Sequence, residues 1–481
     1  MKEIISNVKK KIFIYNSLTK KKELFIPINK NNVNMYICGP TIYKNIHLGN
    51  CRTFIFFDII YRYFKHLNFN IKYIRNLTDI KNNFNKKKNY NYFNYIYNTK
   101  KYYLKYNKIL KIFNLLSPTL EPLISNYIPE QINSIKKIIN LNYAYIKNGS
   151  VYFNINRYNK YYNNNYGNIL NSLKIYKNKT FKFKNKSEKI KKNDFVLWKK
   201  NLNTTIKWES QWSLGIPGWH IGCSTLINKF FNNQLDIHGG GIDLKFPHHE
   251  SEIVLSKLIN FNNKNITKFW IHTNMLTIDN KKMSKSLNNL ILPYDIIKGK
   301  FKITNNIFIN PYIIKLYILL THYRKTLNFS YKNLNNTIKI YFKLLNIFNL
   351  IKKIKPKSFT SNTIKIKRLY YLCYNSLNDD FNIPILIDNL FKINNILNLC
   401  LINKLQISLL DLKFIKKIIK IFIIDILGLK IKHKFNNNIK YLINKLLIIR
   451  NKMREKKLYI YSDKIRDLLK NYIIITDNKL L

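Results

Sequence analysis

Residues 33–80 constrain the fold of this chain more than any other stretch, because they read as strand, loop, helix and strand in close succession. The first strand ends at Met35-Tyr36-Ile37-Cys38-Gly39-Pro40, and the loop opens into a helix at His47-Leu48-Gly49-Asn50. Phe54, Phe57, Tyr61 and Phe64 then recur at three- and four-residue spacing, which gives a helix one apolar face. Ile71 to Leu77 is a short apolar-rich strand. Such a unit is half of a doubly wound, Rossmann-type parallel sheet, an α/β fold that places ligands at the carboxyl ends of its strands.

The pattern breaks after residue 80. A Lys/Asn/Tyr tract from Lys81 to Tyr106 is followed by Ser117-Pro118-Thr119-Leu120-Glu121-Pro122 and Tyr127-Ile128-Pro129-Glu130. We read 1–80 as the first half of a catalytic core, 81–205 as an inserted domain and 206–300 as the second half of the core. Beyond 300 glycine becomes scarce, and Tyr341, Leu344, Leu345, Phe348 and Ile351 form one amphipathic stripe. This gives a helical region over 301–360 and, past a polar segment around Ser361, an all-α C-terminal domain over 361–481.

No apolar run approaches the ~18 residues of a membrane span, and the first residues lack the apolar core of a secretory signal. A cytoplasmic protein without a membrane partner is expected. Lys and Arg total 84 against 24 Asp and Glu, a formal charge of +60. That excess permits a polyanionic partner. Most of it is Lys and accompanies abundant Asn, Ile, Tyr and Phe, the residues of A/T-rich codons, so base composition accounts for the larger share. Five cysteines are too few and too scattered for a disulfide framework in a chain of 481 residues.

A second short run, Lys282-Met283-Ser284-Lys285-Ser286, lies in a polar loop behind Asn274-Met275-Leu276-Thr277-Ile278. Between the two runs, Cys223 closes Gly218-Trp219-His220-Ile221-Gly222-Cys223, and Phe246-Pro247-His248-His249-Glu250-Ser251-Glu252 follows. A helix starting after Pro247 would put His248 and Glu252 on one face. With Cys38 and Cys223 they offer four ligands of the types zinc accepts. Spacing alone equally allows two core thiols and a solvated helix face.

His47-Leu48-Gly49-Asn50 and Lys282 to Ser286 look like the HIGH and KMSKS signatures of class I aminoacyl-tRNA synthetases. Together with Cys38 to Tyr43, Gly-Trp-His-Ile-Gly-Cys (218–223) and His238-Gly-Gly-Gly-Ile-Asp-Leu-Lys-Phe-Pro-His-His-Glu-Ser-Glu252, they make the chain resemble the cysteinyl-tRNA synthetase family. Further matches are Asn76 to Ile80, Asp194 to Lys199, Asp379 to Pro384 and Asp463 to Asp467, so the resemblance covers essentially the whole chain.

The resemblance implies a ligase that activates L-cysteine with ATP and Mg²⁺, then transfers it to the terminal ribose of tRNA(Cys). It implies one Zn²⁺ on Cys38, Cys223, His248 and Glu252, and a cysteine pocket of Thr41, Tyr43, Thr78 and Trp219. His47, Gly49, Asn50 and Lys285 would meet ATP, with Lys282 beside them. Gly239, Gly240 and Gly241 would form a tight turn at the adenosine, and Asp243 would accept from the ribose. The helical C-terminus would bind the anticodon region, with Arg450, Lys452, Arg454, Lys456, Lys464 and Arg466 as phosphate contacts. A monomer is expected. Departures from the family pattern are Gly222, Asn274, Asn288, Lys81-Asn82 and Leu123. Two rival readings are a cysteine ligase with a small amine acceptor, disfavoured by the long helical C-terminus, and a tRNA-binding paralogue without catalysis, disfavoured by His47, Lys282 and Lys285.

Overall fold

The computed structural model describes residues 8, 11–80, 91–162, 166–167, 188–202, 206–232, 234–260, 266–283, 287, 289–298, 309–356, 363–430, 437–469, 475–476 and 479–480. Lys81-Asn82, Ser284, Lys285, Ser286, Asn288 and the polar segment around Ser361 lie outside the described residues.

A hairpin of β1 (Phe13–Asn16) and β2 (Lys21–Leu24) precedes the core sheet. That sheet contains β3 (Asn32–Ile37), β4 (Asn70–Arg75), β9 (Leu235–Gly241) and β10 (Thr267–Thr273), in the spatial order β10-β9-β3-β4 with every pair parallel. The two halves expected from the sequence therefore meet where β3 pairs with β9, with Tyr36 opposite His238 and Ile37 opposite Gly239. Helix α1 (Leu48–His66) joins β3 to β4. Its expected apolar face is buried, but so are Ile55, Phe56, Ile59, Ile60 and Tyr63. More than one neighbour covers it: Phe56 stacks on Tyr323 at 4.1 Å, and the Tyr63 hydroxyl donates to Asn378 Oδ1 at 2.6 Å.

The insertion carries α2 (Tyr92–Ile112), α3 (Ile128–Asn140), β5 (Ala144–Lys147), β6 (Ser150–Phe153), α4 (Ile155–Tyr162), β7 (Phe195–Lys200) and β8 (Gly215–Pro217). Its four strands form an antiparallel sheet in chain order. The sheet closes with β8, so the insertion runs past residue 205. Ile135, Ile138, Val151, Phe153, Leu197 and Trp198 make its core, joined by Val254 and Leu255 of α6 (Glu250–Ile259). Helix α5 (Ile221–Phe231) leads into β9.

After β10, β11 (Leu276–Ile278) pairs antiparallel with β12 (Lys281–Lys282) and parallel with β13 (Leu327–Phe329), which follows α7 (Pro311–Leu319). Within the region expected to be helical over 301–360, α7 is thus followed by a strand that joins the sheet of β11 and β12. Helices α8 (Tyr331–Lys353), α9 (Thr363–Asn378), α10 (Ile383–Leu401), α11 (Leu409–Ile419), α12 (Asn437–Glu455) and α13 (Tyr459–Leu469) complete the chain, with a strand pair at Ile475–Thr476 and Lys479–Leu480.

The chain divides into two compact units. One holds Met1–Leu334, Leu372–Ile387 and Asp425–Gly428; the other holds Asn335–Tyr371, Asp388–Ile424 and Leu429–Leu481. Every candidate site residue of the activation chemistry lies in the first. The second is helical around Tyr370, whose ring meets Phe414 and Phe422 edge-on.

Candidate active site and metal centre

Cys38 follows β3, Cys223 sits in the first turn of α5, and His248 and Glu252 flank the start of α6. The fold brings all four together, buried, with one donor atom of each within 4.8 Å of the others. Cys38 Sγ is 3.7 Å from Glu252 Oε1, Cys223 Sγ is 3.6 Å from His248 Nε2, and His248 Nε2 is 2.7 Å from Glu252 Oε1. Ligands 2.0–2.3 Å from a tetrahedral zinc ion stand about 3.3–3.8 Å apart, so the thiol contacts already have that spacing.

The electrostatics agree with a cation at the centre. Burial opposes charge on His248, yet the Glu252 carboxylate and the Cys223 sulfur push it up to about 10. Burial would raise Glu252, but His248 and His238 hold it well below the usual carboxylate range. The hydrogen bond from Cys38 favours a Cys223 thiolate, while burial pushes Cys38 up. The buried Glu252 carboxylate is thus met by a proton on His248. A divalent ion held by these four residues would take over that role and displace the proton. The donor set fits zinc.

Two residues of this centre escaped the sequence reading. His238 Nε2 lies 3.0 Å from Glu252 Oε2 and 3.7 Å from Cys38 Sγ, and its ring stacks on Trp270. His220 Nδ1 faces His248 Nδ1 at 2.9 Å, which leaves His248 Nε2 turned to Cys223 and Glu252. Burial pushes His220 down to about 3, so it stands there neutral. Both lay inside quoted motifs. Strand pairing of His238 with Tyr36, two residues before Cys38, brings His238 to the cluster, and that register is not written in local periodicity.

Around the metal cluster, Trp219 is 52% exposed and stacks on His248 at 4.6 Å, so it forms an outer wall. Thr41 pairs with Thr78 across the carboxyl ends of β3 and β4, and Asn76 Nδ2 donates to Thr78 Oγ1. Tyr43 hydrogen-bonds Thr41. Thr41, Tyr43 and Thr78 therefore gather at the carboxyl ends of β3 and β4, while Trp219 is placed by its stacking on His248.

His47 is the N-cap of α1. Its Nδ1 accepts from Asn50 N–H at 3.4 Å, and Asn50 Oδ1 accepts from His47 N–H at 3.1 Å. This reciprocal cap leaves the ring proton on Nε2 and keeps the Asn50 amide NH₂ as a donor. A Cβ built on Gly49 would fall 3.2 Å from Met283 Cε, so the two signature runs touch there. Lys282 is exposed at the end of β12, and its carbonyl accepts from Asn289.

Gly239 to Gly241 correct an expectation: they are the last residues of β9, not a tight turn, and the turn follows at Ile242–Leu244. Gly239 is demanded by α1, since a Cβ there would fall 2.0 Å from Phe57 Cζ. The Asp243 carboxylate folds back over Gly241.

A family model described as "tRNA synthetases class I (C) catalytic domain" matches residues 24–339. The chain belongs to the cysteinyl-tRNA synthetase family. It is 38% identical to the cysteine–tRNA ligase of Azobacteroides pseudotrichonymphae genomovar. CFP2, with 96% of each chain covered. It is also 38% identical to that of Bacteroides thetaiotaomicron, with 95% of each covered. Two solved structures share the fold: Mycobacterium tuberculosis methionyl-tRNA synthetase in complex with methionyl-adenylate (TM-score 0.57, 8% identity, covering 82% of this chain and 92% of that one), and Plasmodium falciparum arginyl-tRNA synthetase (TM-score 0.51, 15% identity, 90% and 83%).

As a member of this family the chain is a ligase of protein biosynthesis that uses ATP, an amino acid and tRNA. No helix among the described residues is long and apolar enough to cross a membrane. Of the basic residues read as phosphate contacts, Lys452, Lys456 and Lys464 are exposed. Arg450 is instead buried, and Arg466 pairs with Asp463 of its own helix at 2.8 Å.

Proposed function

We propose that this chain is the cysteine–tRNA ligase of its cell, acting as a cytoplasmic monomer, with one zinc ion held by Cys38, Cys223, His248 and Glu252. The convergence of these four buried donors from separate stretches carries the reading. A zinc ion held by these residues would supply a preference for a thiolate over a neutral hydroxyl, two groups that shape alone discriminates poorly.

The protein's own groups do the rest. His220 orients His248, and His238 steadies Glu252, the ligand that would yield if a further thiolate added negative charge. Trp219, Thr41, Tyr43 and Thr78 enclose the amino acid. The cysteine carboxylate oxygen bonds to the α-phosphorus of ATP, and the bond to the bridging oxygen breaks, its electron pair leaving with Mg²⁺-bound pyrophosphate. His47 Nε2–H and the Asn50 amide, at the positive end of α1, donate to the nucleotide. Lys282 and Lys285 add positive charge as the transition state forms. Gly239 and Gly240 let Phe57 and His249 pack against β9, and Asp243, just beyond that strand, accepts from the ribose. The terminal ribose hydroxyl of tRNA(Cys) then attacks the carbonyl, and AMP leaves.

Pyrophosphate exchange into ATP tests this directly. L-Cysteine should support exchange and L-serine should not, and purified tRNA should be charged. Cys223→Ser should lose both its zinc and at least about a hundredfold in exchange. Exchange with cysteine but no charging would point to the small-amine ligase; no exchange at all would point to the binding paralogue.

A further inference from the structure

Arg52 lies in α1, little more than one turn beyond His47, and is 2% exposed. Its guanidinium makes no ion pair among the described residues. It donates instead to main-chain carbonyls: Nη1 to Met275 at 2.6 Å, and Nη2 to Tyr323 at 3.3 Å, to His322 at 3.4 Å and to Lys325. A buried guanidinium without a carboxylate is costly, and burial lowers its pKa to about 10. Packing of α1 does not ask for a charge here, because Phe54, Phe56 and Phe57 already bury its flanks.

What the carbonyls have in common is their place. Met275 immediately precedes β11, whose hairpin with β12 ends at Lys282. Leu327 N–H also donates to Met275 O, and Asn274 binds the Tyr323 carbonyl through its N–H and the Arg324 carbonyl through Nδ2. The next residue of α1, Thr53, meets Thr273 Oγ1 through its own Oγ1 at 2.8 Å. Gly49 and Met283 touch at the far end of the same arrangement. The segment that feeds the Lys282 hairpin therefore hangs from α1 mainly through one side chain.

We propose that Arg52 is a positioning residue for amino-acid activation: it ties the helix that presents His47 and Asn50 to the strand that delivers Lys282, setting the separation at which both grip one nucleotide. This rests on the ligase reading above. A fork of planar donors holds several carbonyls in one orientation, which a single ammonium does not. Nothing in the link touches the metal centre, so its loss acts on the activation step and spares the thiol pocket.

The test uses full-length, zinc-loaded Arg52→Met and Arg52→Lys. For Arg52→Met, kcat of cysteine-dependent pyrophosphate exchange should fall about tenfold or more, with KM for cysteine and zinc content within about twofold of wild type. Arg52→Lys, which keeps a donor but loses the fork, should fall in between. Amides of Leu276–Lys282 should exchange hydrogen faster in both variants, with those of α6 unchanged. Wild-type kcat in a folded Arg52→Met protein, or in Arg52→Lys if only that variant folds, would overturn the proposal. So would equal losses in kcat, zinc and cysteine KM, or faster exchange spread evenly over α6. Wild-type protein without exchange activity would sink the ligase reading instead.

Discussion

At the scale of single residues, the centre is built from ligands and from the groups that aim them. His220 and His238 have no partner in the sequence pattern, yet each orients one ligand through a contact of about hydrogen-bond length. Gly239 shows the opposite case, a residue whose type points to a ligand but whose reason is packing. Its missing side chain lets the Phe57 ring of α1 lie against β9. Gly239→Ala should therefore destabilise the protein by on the order of 2 kcal/mol, seen as a lower melting temperature. Unchanged stability with weakened ATP binding would return Gly239 to a direct nucleotide role.

Among elements, α1 does the most. Its N-terminus carries the His47–Asn50 cap, Arg52 and Thr53 hold the neighbouring strands, and Asp58 near its middle pairs with Arg62 at 2.8 Å and with Lys315 of α7 at 3.4 Å. Lys315 is fully buried. Burial pushes it down to about 8, with Asp58 opposing that and Arg62 adding to it. The unfolded chain thus holds more protons than the folded one between pH 8 and about 10.4, and stability from this group rises with pH across that window. Below pH 8 the penalty is present in full. Relative to Lys315→Met, wild type should gain up to about 3 kcal/mol between pH 8 and 10.4, measured by denaturant unfolding at a series of pH values. Parallel curves would show that Lys315 is not strained in the native state. The fold also explains family-pattern residues that do no chemistry. Asp79 accepts from the Tyr95 hydroxyl at 3.0 Å. Asp380 accepts from Tyr15 N–H and the Tyr323 hydroxyl and pairs with Arg324 at 2.7 Å.

For the whole molecule, legibility in the sequence followed chain distance. The β3–α1–β4 unit and the helical C-terminus could be read because they are written in local periodicity, whereas the insertion showed only as a break in the pattern and its sheet runs past the expected residue 205. Cys38, Cys223, His248 and Glu252 were legible as a set only through the family resemblance, since their spacing equally described core thiols and a helix face. Arg52, His238 and His220 were not legible at all, because their meaning lies in which backbone or ring arrives opposite them from a distant segment. The glycines of β9 were misread for the same reason: a run of glycine looks alike in a turn and in a strand pressed by a helix. The +60 charge says little about the activation site, where what matters is the set of buried donors around one centre.

The central claim is that this centre holds a metal and that the metal meets the substrate sulfur. Replacing the bound ion with cobalt and recording the absorption spectrum while L-cysteine or L-serine is added tests it most directly. New thiolate-to-cobalt absorption with cysteine, absent with serine and absent in Cys223→Ser, is the expected result. A protein that binds no metal, or whose cobalt spectrum ignores cysteine while the enzyme still activates it selectively, would contradict the account.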